Sequence, residues 1–211
     1  MMPVFDPAVE RLFAALPTAD DEADARLRAR LAAEADREGM LDIAYRTIDT
    51  PVGTLLLAAT DVGLVRIAFG REDHAAVLAQ LAARISPRIL RAPARLDEAS
   101  RQIAEYFERR RTAFELPLDL RLSTGFRRSV LTHLSGIGYG RTESYAQVAV
   151  AAGSPRAVRA VGTACATNPL PLVVPCHRVV RSDGTFGSYV GGTRAKHTLL
   201  ALEARTPEAA R

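Results

Sequence analysis

The chain has 211 residues, 48% of them hydrophobic, which is enough to bury the core of one large domain or two small ones. No apolar run approaches the roughly 18 residues that a membrane-spanning helix needs, and the N-terminus lacks a signal-peptide pattern, so we expect a cytoplasmic protein without a membrane partner. Two cysteines are too few for a disulfide framework, and four histidines without paired ligand spacing do not indicate a metal site.

The charge is distributed unevenly along the chain, although the formal net charge is only +4. Residues 1–40 contain five Arg and nine Asp or Glu, residues 41–120 contain eleven of each sign, and residues 121–205 contain eleven Arg or Lys but three acidic residues. The three net charges are therefore −4, 0 and +8. A basic C-terminal part favours a polyanionic partner, most simply nucleic acid. An arginine-rich genome would explain the use of Arg over Lys, but not the scarcity of acidic residues.

Residues 1–40 predict an acidic helical extension of unknown role. The segment DPAVERLFAAL begins with Asp6 as a helix cap and places Pro7 at the first helical position. The alanine-rich, charged stretch that follows is only weakly apolar. We therefore expect a peripheral appendage.

Residues 41–120 predict a small α/β domain. The segments IAYRTIDT, GTLLLAAT and GLVRIAFG have the composition of strands, and turn signals at Pro51–Gly53 and Asp61–Gly63 separate them. A three-stranded antiparallel meander is therefore expected over 42–70. The segments EDHAAVLAQLAARI and LDEASRQIAEYFERRR have the pattern of amphipathic helices. The fold class that follows is α+β.

Residues 121–205 predict a mainly helical domain, followed by a tail at 206–211. The segment TGFRRSVLTHLSGI has the pattern of a helix. Ser144 and Gln147 then form a capping box for a short helix over 145–152.

A second short helix follows closely, and the pair makes a helix-turn-helix. Gly153 ends the first helix, Ser154 caps the second, and Pro155 takes its first position. The second helix must end by Asn168, because the residue before a proline avoids helical backbone angles.

The second helix of this pair is the candidate DNA-reading element. Arg156 and Arg159 are three residues apart and would share one face. Its other residues, such as Ala157 and Gly162, are small and would let the helix approach another surface closely. That surface is either a neighbouring helix or a DNA groove, and the surrounding positive charge favours DNA.

Cys176 follows a proline at the start of a predicted strand, and RVVRSDGTFGSY predicts a hairpin around Asp183–Gly184. A free thiol is mostly protonated at neutral pH, so a nucleophilic Cys176 needs a base, and His177 is the candidate. Neighbours on an extended chain point to opposite sides, which favours a relay or a turn over direct contact. The alternative is a buried structural thiol beside a chance histidine.

Glu203 lies close to the end of the last predicted helix, TRAKHTLLALEAR. A carboxylate there opposes the helix dipole. Either solvent covers this group, or a partner such as an imidazole holds it. The second possibility would complete a set of nucleophile, base and orienting carboxylate.

The segment PCHRVVRSDGTFGSYVGG resembles the active-site signature of the O6-alkylguanine-DNA alkyltransferases, and SYAQVAVAAGSPRAVRAVGTACATNP resembles their helix-turn-helix. The resemblance covers about 42–205 and leaves out residues 1–40. It implies a small domain with a three-stranded antiparallel sheet and then a helical domain with a winged helix-turn-helix. It also implies a repair protein that flips O6-alkylguanine out of duplex DNA and moves the alkyl group irreversibly, in a single turnover, to its own cysteine.

The resemblance assigns roles to the matching positions. Cys176 would be the alkyl acceptor, His177 the base acting through a bound water, and Glu203 the group that orients His177. Asn168 would hold the turn before the reactive residue. Arg159 would enter the base stack in place of the flipped guanine.

The same resemblance implies a lesion pocket and a DNA surface in the minor groove. Tyr145 would donate to the flipped guanine, the backbone at Val179 and Val190 would bind its edges, and Tyr189 would form part of the pocket wall. The DNA-binding surface would comprise Arg156, Ala157, Arg159, Gly162 and Arg178.

The implied partner is double-stranded DNA that carries O6-alkylguanine, with O4-alkylthymine as a second candidate lesion. The resemblance implies a monomer and leaves cooperative binding on DNA open. Nothing in the sequence predicts a metal or a soluble cofactor.

Four positions depart from the family pattern. Arg127 and Leu131 stand where the family usually has Gln and Trp, and Gly138 stands where a proline is usual. Val190 occupies a position that sometimes holds a small hydroxyl residue. None of these departures touches the implied acceptor, base or carboxylate, but they leave the efficiency and the range of alkyl groups open.

Three other functions fit parts of the pattern. A non-catalytic relative that only binds the lesion would lack the acceptor, and Cys176 is retained here. A cysteine hydrolase would turn over and ignore DNA, which leaves Arg159 and the helix-turn-helix unexplained. A transcription regulator would use the helix-turn-helix alone, with an incidental Cys176.

Overall fold

The computed structural model describes residues 21–204. The predicted helix DPAVERLFAAL and the tail at 206–211 lie outside the described residues. The described part of the N-terminal extension forms α1, Asp21–Arg37. Ala32 and Ala35 of α1 are buried, whereas Leu27 and Leu31 are exposed. The helix therefore packs on the rest of the molecule through its small residues.

A four-stranded mixed sheet forms the centre of the first domain, and its strand order is β3-β2-β1-β4. The predicted meander is confirmed, because β1 pairs antiparallel with β2, and β2 pairs antiparallel with β3. The predicted count of three strands is wrong, because β4 adds to the free edge of β1 in parallel. β4 has only three residues, too few to show an alternating pattern. The bounds are Ile43–Ile48 for β1, Leu55–Ala59 for β2, Leu64–Phe69 for β3 and Ile89–Arg91 for β4.

Helices cover both faces of this sheet, because its strands alternate apolar side chains to each side. The helix α2, His74–Arg84, packs Val77 and Leu81 against one face. The helix α3, Asp97–Phe107, follows a short 3-10 turn and buries Ile103 and Tyr106 on the other side, in the core that continues into the second domain. Both helices were predicted.

The second domain is mainly helical, as predicted. It contains α4, Gly125–Leu134, then the helix-turn-helix pair α5, Tyr145–Ala151, and α6, Val158–Ala166, and finally α7, Gly192–Glu203. The Ser144–Gln147 capping box is present, and Gly153 ends the first helix of the pair with φ 78°. These local signals were correct because they depend on side chains within one turn of the helix.

The start of α6 was predicted three residues too early. Ser154 makes no side-chain cap for this helix; its carbonyl accepts from Ala157 N (2.9 Å) and closes a turn. Arg156 therefore lies in that turn and not on the face of α6 that carries Arg159. The Ser-Pro pair is compatible with a turn as well as with a helix start.

The predicted hairpin around Asp183–Gly184 is also wrong. The chain does turn there, with Arg181 N donating to Thr185 O (2.9 Å). The strand before the turn, β6, Val179–Val180, pairs instead in parallel with β5, Glu143–Ser144. This short ladder joins the residue that caps α5 to the segment directly after Cys176.

Candidate active site

Cys176 begins a single 3-10 turn, Cys176–Arg178, and its side chain is only 1% exposed. Asn168 reaches across from the end of α6. Its Nδ2 donates to Val174 O (2.8 Å) and to Cys176 Sγ (3.1 Å), while its Oδ1 accepts from Leu170 N (2.9 Å). One fully buried amide thus ties both ends of the loop together and touches the sulfur.

His177 is completely buried, and its two ring nitrogens have different surroundings. Nε2 lies 2.9 Å from Glu203 Oε1, whereas Nδ1 is buried and has no hydrogen-bond partner among the described residues. The tight turn at Cys176–Arg178 replaces the extended backbone on which neighbouring side chains would diverge. The argument that the side chains of Cys176 and His177 must point to opposite sides therefore does not apply to this turn.

Glu203 is 3% exposed, so the alternative of a solvated glutamate is wrong. In addition to His177, its carboxylate accepts from Tyr106 Oη (2.7 Å) and from the Gly140 backbone N (3.3 Å). These donors satisfy a charge that the end of α7 would otherwise disfavour. Tyr106 and Gly140 are far away in the sequence, and no local pattern indicated them.

Arg178 was predicted to contact DNA, and this is wrong. Its side chain is buried, with Nε 2.9 Å from Glu203 Oε2 and Nη2 2.8 Å from Glu203 Oε1. It also donates to the carbonyl of Ile137. An arginine in this position cannot reach a DNA groove. Its place inside a turn flanked by buried apolar residues was the signal that could have indicated a buried ion pair.

This pairing sets the charges of the site. Burial alone would raise the pKa of Glu203, but hydrogen bonds from His177 and Arg178 lower it from 4.5 to about 2. Burial lowers the pKa of His177, and Glu203 opposes that effect. We infer a carboxylate whose charge Arg178 balances and a neutral His177 that donates through Nε2. The lone pair of the neutral imidazole is then on Nδ1.

Burial raises the pKa of the Cys176 thiol to about 11, against the opposing effects of the Asn168 hydrogen bond and of Lys196. Lys196 was not singled out in the sequence. It is fully buried in α7, and its Nζ donates to Val179 O at 2.5 Å. The thiol is therefore protonated at neutral pH and needs a base to become a nucleophile.

Tyr189 packs between His177 and the sheet domain. Its ring makes edge contacts with His177 (centroids 6.2 Å apart) and with Phe69 at the end of β3 (5.6 Å). A Cβ placed on Gly191 would lie 2.6–2.8 Å from three ring carbons of Phe69. A side chain of the first domain thus fixes the backbone beside Tyr189, a contact that the sequence did not indicate.

Of the other predicted pocket residues, Tyr145 and Val179 lie beside the same turn, and Val190 lines a cleft between the two domains. Tyr145 begins α5 and is half-buried, with its hydroxyl against the backbone of Gly187. Burial raises the pKa of Tyr145 to about 12, so it is a hydrogen-bond donor at neutral pH. Val179 is buried and its carbonyl is engaged by Lys196, while Val190 is half-buried.

The predicted DNA-binding residues, Arg178 apart, lie on the outer side of the helix-turn-helix. Arg159 on α6 and Arg156 in the preceding turn are exposed, and neither has an ion-pair partner within residues 21–204. Ala157 and Gly162 are half-buried. The surface therefore offers two cations next to small side chains.

Two family models match this chain. The model for the 6-O-methylguanine DNA methyltransferase ribonuclease-like domain matches residues 43–120, and the model for the DNA binding domain of the same protein matches residues 125–205. The methylated-DNA–protein-cysteine methyltransferase of Mycolicibacterium paratuberculosis is 40% identical over 163 residues, which cover 77% of this chain and 93% of the relative. The chain belongs to the 6-O-methylguanine DNA methyltransferase family.

Other relatives agree with this family. The bifunctional transcriptional activator/DNA repair enzyme Ada of Escherichia coli is 39% identical over 170 residues, and the matched part spans 80% of this chain but 47% of Ada, about half its length. The O6-methylguanine methyltransferase structure from Mycobacterium tuberculosis has a TM-score of 0.70 at 35% identity and covers 80% of this chain and 96% of that chain. The structure of M. tuberculosis OGT in complex with DNA has a TM-score of 0.68 at 36% identity and covers 79% of this chain and 96% of that chain.

The positions that depart from the family pattern are accommodated in the fold. Leu131 is fully buried in α4, and a side chain at Gly138 would meet only the Arg141 side chain, at 3.9 Å. Arg127 is half-buried and donates to Leu122 O (2.7 Å) and Thr167 Oγ1 (3.2 Å).

No helix within 21–204 is long and apolar enough to cross a membrane. The same part of the chain has no group of three or more His, Cys, Asp or Glu side chains placed to hold a metal ion.

Proposed function

We propose that this protein repairs DNA directly by transferring the methyl group of O6-methylguanine to the sulfur of Cys176. The observation that carries the proposal is that one buried turn holds both Cys176 and His177, whose Nε2 is bonded to Glu203 and whose Nδ1 has no partner among the described residues. This arrangement supports the roles of nucleophile for Cys176, base for His177 and orienting carboxylate for Glu203.

The proposed reaction begins with removal of the thiol proton. A neutral His177 keeps its Nε2 proton, which is hydrogen-bonded to Glu203, and takes the Cys176 proton at Nδ1 through a bridging water. The Glu203 carboxylate stabilises the imidazolium that forms, while Arg178 and Tyr106 hold the carboxylate in place. Lys196 adds positive charge near the thiolate and favours its formation.

The second step moves the methyl group. The Cys176 thiolate forms a bond to the methyl carbon as the bond between that carbon and guanine O6 breaks, and the electron pair remains on the guanine. The Tyr145 hydroxyl donates a hydrogen bond to the leaving base, and the proton taken from the thiol neutralises it. The product is a thioether with no leaving group to expel, so each molecule accepts one methyl group.

The proposed DNA partner is a duplex that presents the lesion to α6. A stacked guanine hides its O6 substituent, so the base has to leave the helix before it can react. Arg159 would fill the gap in the stack, while Ala157 and Gly162 let the helix approach the minor groove closely. Arg156 would contact a backbone phosphate from the turn before α6.

Access to the acceptor requires movement of the loop that covers it. Cys176 is 1% exposed, and Tyr189 and Val190 lie in the segment that encloses the site. We propose that the flipped base enters as the loop at 181–190 shifts outward, which leaves Tyr189 and Val190 as walls of the lesion pocket. The backbone at Val179 and Val190 would then bind the edges of the base.

We propose further that the protein acts as a monomer on double-stranded DNA carrying O6-alkylguanine, with O4-alkylthymine as a second lesion to be tested. One chain contains all the groups of the proposed reaction, which supports a monomer. The half-buried Val190 beside the site predicts that bulky alkyl groups react more slowly than methyl.

The test is incubation with a duplex that contains one O6-methylguanine, followed by intact-protein mass and peptide mapping. We expect one added methyl group per molecule, on Cys176. Cys165→Ser is the matched control, because it changes the other buried cysteine and should still accept methyl. Cys176→Ala should bind the duplex without gaining mass. A folded wild-type protein that gains no methyl group would contradict the proposal.

A further inference from the structure

A cleft of about 350 Å³ lies between the two domains, outside the reactive turn. We call it the arginine cleft. The sheet domain contributes β3 and α2, and the helical domain contributes the start of α4, the end of α6 with the loop after it, and Val190, which is also a predicted wall of the lesion pocket. The residues that matter for its charge and hydrogen bonding are Arg66, Glu72, Arg84, Arg127, Thr167 and Asn168.

The arginine cleft has an excess of positive charge. Three guanidinium groups and one carboxylate line it. Arg66 forms an ion pair with Glu72, and both side chains are largely buried. Neither Arg84 nor Arg127 has a carboxylate partner in the part of the chain that the structure describes. Two uncompensated cations in one concave surface attract an anion more strongly than the same charges on a flat surface.

The two uncompensated arginines differ in a way that suits a binding site. Arg127 is fixed, because Nη1 donates to Thr167 Oγ1 (3.2 Å) and Nη2 donates to Leu122 O (2.7 Å). These two bonds leave other N–H groups of its guanidinium available. Arg84 extends from the last turn of α2 and is exposed, so it is able to close over a ligand. Planar guanidinium groups match the oxygens of a phosphate.

We propose that the arginine cleft binds a phosphate group, presented either by the DNA backbone beside the lesion or by a small phosphate-bearing solute. The DNA alternative rests on the function proposed above. Arg127 stands where the resemblance leads one to expect a glutamine, which would leave a single uncompensated cation in the cleft. The site is therefore a property of this chain's own sequence.

The position of the cleft favours a link with the DNA surface. Ala166 and Thr167 at the end of α6 line it, and they lie seven or eight residues after Arg159 on the same helix segment. That separation corresponds to about 10 Å along the axis. Asn168, whose amide touches Cys176 Sγ, lines the same cleft. The cleft therefore borders the residue that holds the reactive turn.

The first arm of the test measures the binding of inorganic pyrophosphate by calorimetry, at an ionic strength held constant with sodium chloride. We expect binding to the wild-type protein and an affinity at least about tenfold lower in Arg84→Gln, because one charge-assisted contact is lost. Arg84 is exposed, so this variant should fold. Arg127→Gln is the second variant; it removes the other uncompensated charge of the cleft and should also weaken pyrophosphate binding. The matched control is Arg30→Gln, which removes one exposed charge from α1, outside the cleft.

The second arm measures the affinity for a lesion-free duplex as a function of salt. If a backbone phosphate occupies the cleft, the slope of log affinity against log salt should fall by about 1 in Arg84→Gln and stay unchanged in Arg30→Gln. A loss of pyrophosphate binding with an unchanged slope would identify a small solute as the ligand. Wild-type behaviour of Arg84→Gln in both arms would overturn the proposal.

Methyl uptake is measured on the same proteins with saturating damaged duplex. Arg84→Gln should accept methyl as the wild type does, because Arg84 is outside the reactive turn. If Arg84→Gln takes up methyl normally, and its pyrophosphate affinity and salt slope both equal those of the wild type, the cleft proposal is overturned and the proposed function stands. Pyrophosphate binding without methyl uptake would contradict the proposed function and leave the cleft intact.

Discussion

The reactive turn and the helix-turn-helix surface use charge in opposite ways. Around the turn, His177, Arg178, Lys196 and Glu203 are all no more than 6% exposed, and each makes a hydrogen bond to a buried partner. On the surface, Arg159 is exposed without an ion-pair partner among the described residues. A buried set depends on every member, because the loss of one leaves another charge unpaired. Exposed cations act nearly independently and are screened by salt.

The largest effect is expected for Glu203→Gln, which tests the buried side of this comparison. It removes the charge that balances Arg178 and orients His177. Single-turnover methyl transfer should therefore fall by about 10²–10⁴-fold, because a base contributes that much only while it is correctly positioned. Stability should fall by about 3–5 kcal/mol in urea unfolding, as for a broken buried ion pair. Glu143→Gln, in the same domain but half-buried, is the control. A wild-type rate of methyl transfer in Glu203→Gln would show that the reaction does not depend on the carboxylate that orients His177.

Acid should lower the free energy of unfolding through the buried residues Glu203 and His177. The pKa of Glu203 falls from 4.5 to about 2 on folding, so its stabilisation is present above pH 4.5 and is lost as the pH falls towards 2, with a total of about 3 kcal/mol. The lowered pKa of His177 acts in the same direction, because below pH 6.5 the unfolded chain binds the proton more tightly.

Unfolding free energies measured between pH 7 and pH 3 test this prediction. The wild type should lose stability steadily over this range, whereas Glu203→Gln should lack the component below pH 4.5. A flat profile for the wild type would show that these groups are not coupled to folding.

Gly191→Ala should give an intermediate effect, because it disturbs the wall of the site without removing a charge. The added Cβ would overlap the Phe69 ring and push the backbone beside Tyr189 away from that ring. We expect about tenfold slower transfer, equivalent to about 1.4 kcal/mol, with unchanged duplex affinity. The double variant Gly191→Ala, Phe69→Leu should recover part of the rate. No recovery would indicate that the contact with Phe69 is not the cause.

The smallest and most separable effects are expected on the exposed side. Arg159→Ala should slow transfer more than it weakens duplex binding, because its proposed role is to occupy the gap left by the base. Arg156→Gln should weaken binding evenly across sequences and reduce the salt slope by about 1. Rapid kinetics and filter binding on the same duplex separate the two. Equal losses in binding and transfer for both variants would contradict the distinct roles.

The sequence predicted the elements that depend on neighbouring residues. The capping box at Ser144 and Gln147, the glycine that ends α5 and the three-stranded meander follow from contacts within a few positions. Two of its errors share a cause. The short strand β4 and the parallel pairing of β6 depend on partners elsewhere in the fold, and no local pattern encodes them. The late start of α6 has a local cause, because the Ser-Pro pair fits a turn as well as a helix start.

Only part of the candidate site could be predicted from residue types and local sequence. Cys176, His177 and Glu203 could be singled out because their residue types and a family resemblance drew attention to them. Arg178 was misplaced because an arginine beside a DNA-binding element is usually exposed, and only the fold shows Glu203 next to it. Tyr106 and Phe69 come from the first domain, and Lys196 contacts the site from α7. Their positions depend on how the two domains pack.

The two-residue ladder between β5 and β6 has a mechanical consequence. β5 supplies the cap of α5, and β6 begins directly after the turn that carries Cys176. Backbone hydrogen bonds therefore join the helix-turn-helix to the turn that carries the acceptor sulfur. Under the proposed function, this ladder fixes the distance between α6 and the sulfur, and a base is repaired only if it leaves the duplex by that distance.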